Sequence, residues 1–319
     1  MVINNYQLES LNKNSPVRAI FVLHKRTVSF IKHIFSFMKY TFFISLVLLF
    51  SCNEFGDTAI TSPGKGKERD LPQKMEYSYD CLKSDSGKLS DTWGKANDII
   101  SKVATFNIKV SDEDQMRFGD TFLIEAKKDK NFEIDTQSPL NEKLNIILSN
   151  LVKERSKPTG IEYEIFLLKD TANVNAYTVG GKIFITTAMI KVCKNDDQLY
   201  AIIGHEVGHN EKGHIKTAIK QLKASNKFFG EWGETFIIMK RFLTGSFNQK
   251  NELEADYFGL DLSWKLGYDV CAIRSFWDDM AKKEERNGFD NFFRTHPYSD
   301  TRSKCLVNHI EKNFKVVCK

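Results

Sequence analysis

The chain has 319 residues, 41% of them hydrophobic and 12% aromatic, enough for one large domain or two small ones, which excludes global disorder. The formal charge is +5, but six of the 46 basic and one of the 41 acidic residues fall in 1–52, leaving forty of each sign beyond. The chain from Asn53 onward is therefore neutral and has no basic stripe, which excludes a nucleic-acid binder.

The basic excess belongs to the leader. "MKYTFFISLVLLFSC", Met38–Cys52, opens on Lys39 and holds a ten-residue apolar run, Thr41–Phe50. That length suits a signal segment and is short for a spanning helix. It ends in a Leu, two residues and Cys, which resembles the lipobox of bacterial lipoproteins. That pattern implies an acylated Cys52 at the mature N-terminus and an exported chain held to a membrane. The alternative is a plain membrane anchor extending back to Ile34. Met38 serves equally as a start. Asn53–Gln73 is polar, with Gly56, Pro63, Gly64, Gly66 and Pro72, and reads as a coil spanning roughly 25 Å.

The globular pattern follows. Ser138–Glu154 predicts a helix, with Pro139 in its first turn and Leu140, Leu144, Ile147, Leu148 and Leu151 on one face. "IEYEIFLL", 161–168, alternates at period two and predicts a strand; "GGKIFIT", 180–186, predicts a second after a glycine turn. A short helix is expected near Thr187–Val192. "NDD", 195–197, then caps a helix carrying Leu199, Ile202, Ile203 and Val207. Later helices are expected over 251–266, from about Val270 to Glu285 and from about Thr301 to Phe314. This is an α+β arrangement, a small sheet beside a mainly helical body. Export places Cys81, Cys193, Cys271, Cys305 and Cys318 in an oxidising compartment, where five cysteines form at most two pairs. None has CxxC spacing, and the pairing is not readable from sequence.

"GHEVGHNEKGHI", Gly204–Ile215, carries the chemistry. His205, Glu206 and His209 form H-E-x-x-H. On a helix the two imidazoles lie four residues and about 40° apart, so they can meet one Zn²⁺, with Glu206 reaching the metal's open side as proton acceptor. Gly204 and Gly208 inside the helix cost about 1 kcal/mol each relative to Ala, which points to close packing around a site. Catalytic zinc keeps about three protein ligands and a water. His214 lies nine residues past His205 and about 180° around a continuous helix, so it is expected outside the ligand set. The better third ligand lies in "NELEAD", where Glu252 and Asp256 share a face and Glu254 points elsewhere. One of that pair can bind metal while the other holds a ligand imidazole.

These residues, "HEVGH…ELEADYFGLDL", resemble the HtpX and CAAX prenyl endopeptidase family of gluzincin zinc metalloproteases. "EDQMRFGD" (113–120), "NAYTVGGKIFITTAMI" (175–190), "LGYDVCAI" (266–273) and "THPYSDTR" (295–302) match further family segments, so the resemblance covers about residues 112–312. It implies a zincin-type fold whose sheet edge faces the active-site cleft, one Zn²⁺ on His205, His209 and Glu252, and Asp256 behind them. It also implies His296 as a catalytic oxyanion donor and Arg302 as a structural partner. Asn175 and the strand Lys182, Ile183, Phe184 and Ile185 would receive the substrate backbone by strand addition. The turn after Asn175 is a residue short of the commoner form and lacks its proline.

The resulting expectation is a leader over 1–52, a flexible tether over 53–89 and a metalloprotease domain over 90–319. The domain would cut protein or peptide substrates in the cell envelope, facing the periplasm or the cell exterior. The rival reading is a lipoprotein chaperone that binds unfolded envelope proteins through the apolar stretch "FFGEWGETFIIMKRFL", 228–243.

Overall fold

Side-chain caps at Ser111, Thr186, Asn195 and Asn248 each start a helix of the body. The computed structural model describes residues 67–83, 105–226, 247–281, 296 and 300–318, all within the unit Ala59–Lys319. Cys52, the leader and the apolar stretch 228–243 lie outside the described residues. A 3-10 turn, Asp80–Lys83, precedes α1 (Asp112–Ala126) and α2 (Leu140–Lys153). Then come β1 (Glu164–Leu168), β2 (Ala176–Val179), β3 (Lys182–Thr186), α3 (Thr187–Val192), α4 (Asp196–Glu211) and α5 (His214–Asn226). The chain closes with α6 (Gln249–Lys265), α7 (Val270–Ala281), α8 (Asp300–His309) and a π-helical turn, Ile310–Phe314. No helix among the described residues is long and apolar enough to cross a membrane.

The expected α+β architecture is present. In α2, Leu144, Ile147, Leu148 and Leu151 are buried against the core, each contributing about 1.5–3 kcal/mol of apolar burial. Asn195 caps α4 by accepting from the Gln198 N–H, and every residue from Gln198 to Asn210 is buried. The H-E-x-x-H helix is thus the central rod of the core rather than a surface helix. α1 and α5 were not anticipated; α1 opens on a reciprocal capping box between Ser111 and Asp114.

The three-stranded sheet has the order β1-β3-β2, with β1 parallel and β2 antiparallel to β3. The first strand is shorter than its alternation suggested, because its partner β3 begins at Lys182, opposite Glu164. Gly180 and Gly181, both at positive φ (55° and 86°), make the tight β2–β3 turn, where a side chain on Gly180 would run into the Gln115 carbonyl. This order corrects the expectation for the substrate strand. Lys182–Thr186 is the central strand, with all five residues buried and neighbours on both sides. Its backbone is already paired, so Lys182, Ile183, Phe184 and Ile185 cannot accept an added strand. The edge beside the site is β2. Since the Thr186 N–H donates to the Asn175 carbonyl, ladder alternation turns the backbone groups of Ala176 and Thr178 away from β3.

Residues 67–83 also depart from expectation. Read as part of a flexible tether over 53–89, they instead lie along the body. Leu71, Met75, Tyr79, Cys81 and Leu82 pack against the core. The Arg69 N–H donates to the Lys265 carbonyl and its guanidinium stacks over Trp264 at 4.3 Å. The Asn313 amide accepts from the Glu76 N–H at 2.7 Å and donates to its carbonyl at 2.9 Å, as a neighbouring strand would. Cys81 is disulfide-bonded to Cys305, and Cys271 to Cys318, leaving Cys193 as the free thiol among the described cysteines.

Candidate metal centre

The site forms where α4 crosses α6. Gly204 faces Gly259, and Gly208 faces Ala255, so the two backbones touch; a Cβ on Gly204 would lie 2.9 Å from the Gly259 Cα. Only this close approach lets short side chains from both helices converge. The cost of helix-interior glycines, read from the sequence as a sign of tight packing, has this contact as its cause.

At the crossing, the Nε2 atoms of His205 and His209 lie 3.0 Å apart. Glu252 of α6 comes within 3.5 Å of His205 Nε2 through Oε2 and within 3.4 Å of His209 Nε2 through Oε1. Tetrahedral Zn²⁺ with ligands at about 2.0–2.1 Å holds its donor atoms roughly 3.3 Å apart, so the three spacings fit one ion. Two further observations agree. Glu252 Oε1 and Glu206 Oε2 are buried without a hydrogen bond. Without a metal, only the Arg302 guanidinium and a proton held on His205 stand against three buried carboxyl groups, Glu206, Glu252 and Asp256, and a divalent cation would take the place of that proton.

The supporting groups fix each donor. His205 Nδ1 donates to Asp256 Oδ1 at 2.8 Å, which turns its Nε2 lone pair toward the centre. Arg302, fully buried, donates to both Asp256 oxygens, approaches Glu252 Oε2 at 3.1 Å and lies over the Trp277 ring at 4.4 Å. Burial opposes ionisation of Glu252, but His296 and Arg302 outweigh it and hold its carboxyl well below the usual range. Burial likewise opposes charge on His205, yet Asp256 and Glu252 hold its pKa up at about 10, so a metal must displace a proton there. Burial keeps His209 neutral at ordinary pH, and burial pushes the Glu206 carboxyl up.

His296 enters the same cluster. Its Nε2 donates to the Ala176 carbonyl on β2 at 3.1 Å, leaving the Nδ1 lone pair toward the centre, 3.2 Å from His205 Nε2 and 3.1 Å from Glu252 Oε2. His205, His209, Glu252 and His296 thereby offer four donor atoms within 4.8 Å of one another. In this geometry His296 is a fourth donor, whereas the sequence pointed to an oxyanion donor; its Nε2 lies 3.5 Å from Glu206 Oε1. Asn175 stands just before the edge strand, its side-chain oxygen buried and without a hydrogen bond.

Two residues escaped the sequence reading. Asn210, one position past the motif, accepts from the Gln115 amide at 2.9 Å and the Gly181 N–H at 3.0 Å. It donates to the Thr178 hydroxyl at 2.8 Å and the Glu206 carbonyl at 3.0 Å. It therefore joins α1, the β2–β3 turn and the catalytic helix. Glu254, taken to point away, pairs with His214 at 3.0 Å. His214 itself stands outside the donor set, but not by continued rotation. α4 ends at Glu211, Gly213 turns the chain at φ 74°, and His214 opens α5 directly beside His209.

Comparison with known proteins agrees with this geometry. The sequence profile of peptidase family M48 matches residues 139–310. The chain is 30% identical over 198 residues to mitochondrial metalloendopeptidase OMA1 of Saccharomyces cerevisiae, an alignment covering 55% of this chain and 57% of that protein. It is 24% identical over 156 residues to metalloprotease LoiP of Escherichia coli, covering 45% and 60%. With the beta-barrel assembly-enhancing protease of Escherichia coli it shares 27% over 159 residues, covering 43% and 32%. The chain thus spans between a third and three fifths of the length of these relatives. With its matched segment running from α2 through both crossing helices into α8, this chain belongs to peptidase family M48.

Proposed function

We propose that the protein is a zinc-dependent endopeptidase that hydrolyses protein or peptide substrates. The observation that carries this reading is the buried convergence of His205, His209 and Glu252, with the Glu206 carboxyl, its Oε2 free of hydrogen bonds, beside them and the β2 edge alongside. Zinc, when bound, would polarise the scissile carbonyl and acidify the attacking water. Glu206 takes the proton from that water and delivers it to the leaving amine; its burial-raised pKa suits a group that must both accept and release. The outward-facing groups of Thr178, and of Ala176 once His296 leaves its carbonyl, receive an extended substrate backbone, and Asn175 flanks it. A water must occupy the place that His296 Nδ1 holds here, so turnover requires His296 to withdraw. From the withdrawn position its imidazole can donate to the oxyanion.

Glu206→Gln tests the assignment. It should keep one zinc per chain and lose casein hydrolysis by about 10²–10⁴-fold. Undiminished proteolysis would refute the role of Glu206.

The leader motivates a second part of the proposal. "LVLLFSC" ending at Cys52 supports an exported lipoprotein anchored by acyl chains, a place from which an endopeptidase would serve protein quality control in the cell envelope. Mass spectrometry of the mature N-terminus should find a lipid-modified Cys52, and an unmodified N-terminus upstream of it would refute the anchor.

A further inference from the structure

His205 has an evident orienting partner in Asp256, but His209 has no carboxylate of its own. Its Nδ1 lies 3.1 Å from Nδ1 of His214, and Nε2 of His214 lies 3.0 Å from Glu254 Oε2. The hydrogen positions in this row follow from its ends. Glu254 only accepts, so the proton of His214 sits on Nε2 and leaves its Nδ1 as an acceptor. That acceptor takes the proton of His209 Nδ1, which leaves the His209 Nε2 lone pair facing His205 and Glu252. The far end is held as well. Glu254 meets Lys250 at 3.5 Å, and the Tyr79 hydroxyl of the 67–83 segment lies against its carboxylate. His209 is also stacked on Phe247 at a centroid distance of 4.3 Å, so the ring is clamped in both plane and tautomer.

We infer that His214 and Glu254 are positioning residues for the metal, acting through His209 as a hydrogen-bonded row that does for the second histidine what Asp256 does for the first. This rests on the reading that His205, His209 and Glu252 hold the ion. The Gly213 turn is what makes it possible. A continuous helix would carry His214 away from His209, and breaking the helix at Lys212–Gly213 returns the third histidine of the motif to the second.

The test is zinc affinity of the full chain, measured by competition with a chelating indicator, together with kcat and KM on a peptide substrate. His214→Leu removes the acceptor and should weaken zinc binding by about 10–100-fold, the usual effect of losing such a partner. His214→Asn places an amide oxygen near the position of Nδ1 and should recover most of that loss. Glu254→Ala, on a partly exposed side chain, should lose severalfold. At saturating zinc, kcat should return toward the parent value in all three while KM stays unchanged. Thermal unfolding of the metal-free proteins checks the fold; if His214→Leu is unfolded, His214→Asn and Glu254→Ala are compared with the parent in its place. Parent-like zinc affinity in His214→Leu and Glu254→Ala, or equal losses in His214→Leu and His214→Asn, would overturn the inference. A parent chain that binds no zinc would instead overturn the metal site itself.

Discussion

Adding one methyl group at the helix crossing tests the architecture of the site most directly. In Gly259→Ala the new Cβ would lie 2.7 Å from the His205 nitrogen, 2.8 Å from the Gly204 carbonyl carbon and 3.1 Å from the Ala201 carbonyl oxygen. All three neighbours are backbone atoms of α4, so no side-chain rotation relieves the overlap. Reaching an ordinary contact of 3.4 Å means separating the helices by roughly 0.7 Å. Overpacking of this kind costs about 1–3 kcal/mol, and the better helix propensity of alanine returns about 1 kcal/mol. The expected net loss is about 0–2 kcal/mol, or a fall in Tm of up to about 8 °C for a body of this size. The effect on the metal should be larger in proportion. His205 and His209 ride on α4 and Glu252 on α6, and ligand distances tolerate only about 0.2 Å, so zinc affinity should fall at least about tenfold. Differential scanning calorimetry of the metal-free protein and a zinc titration read the two effects separately. If Gly259→Ala raises Tm, as helix propensity alone requires, and leaves zinc affinity unchanged, the backbone contact does not position the ligands.

Other outcomes follow from groups around the site. Arg302→Met should destabilise the metal-free protein by about 3–5 kcal/mol in denaturant titrations, because it takes the guanidinium away from the buried Asp256 and Glu252 carboxylates and leaves them with histidine partners such as His205; a loss below about 1 kcal/mol would show that these carboxyls are not ionised. Replacing Cys271 and Cys318 together by Ala opens a 47-residue loop and should cost up to roughly 4 kcal/mol. Non-reducing peptide mapping should recover the Cys81–Cys305 and Cys271–Cys318 pairs and no other pairing among these residues. Asp112 accepts from Lys216, its strongest influence, and from the Gly160 N–H, and its pKa is lowered despite partial burial. Its contribution is therefore complete above the unfolded value near pH 4 and lost as pH falls through the folded one. The Tm gap between the parent and Asp112→Asn should be present at about pH 7 and close below about pH 4.

The sequence disclosed those parts of the site that lie within a turn or two of each other. His205, Glu206 and His209 are fixed by helical spacing, and Glu252 and Asp256 by sharing one face of a second helix. What it could not disclose depended on breaks and on partners. The Gly213 turn looks like one more glycine in a helical run, yet it decides where His214 points. Strand order was equally hidden. β2 and β3 are both short and apolar, and which of them forms the edge is settled only by the parallel pairing of β1 with β3. The 67–83 segment reads as polar coil because its anchoring groups, Tyr77, Ser78 and Cys81, find their partners only across some 180–230 residues of chain.

The bond between Cys81 and Cys305 closes a covalent ring through 224 positions of sequence, with both crossing helices, α4 and α6, inside it. A single cut anywhere in that ring yields two pieces that remain one molecule. They stay joined by sulfur, and, for a cut between α4 and α6, by the contact of those two helices as well. Nicked and intact protein would therefore run together until a reductant is added, and a preparation judged whole on a non-reducing gel could already be cleaved. Resistance to dissociation after nicking is thus a property of where the two cysteines sit, independent of how stable the fold between them is.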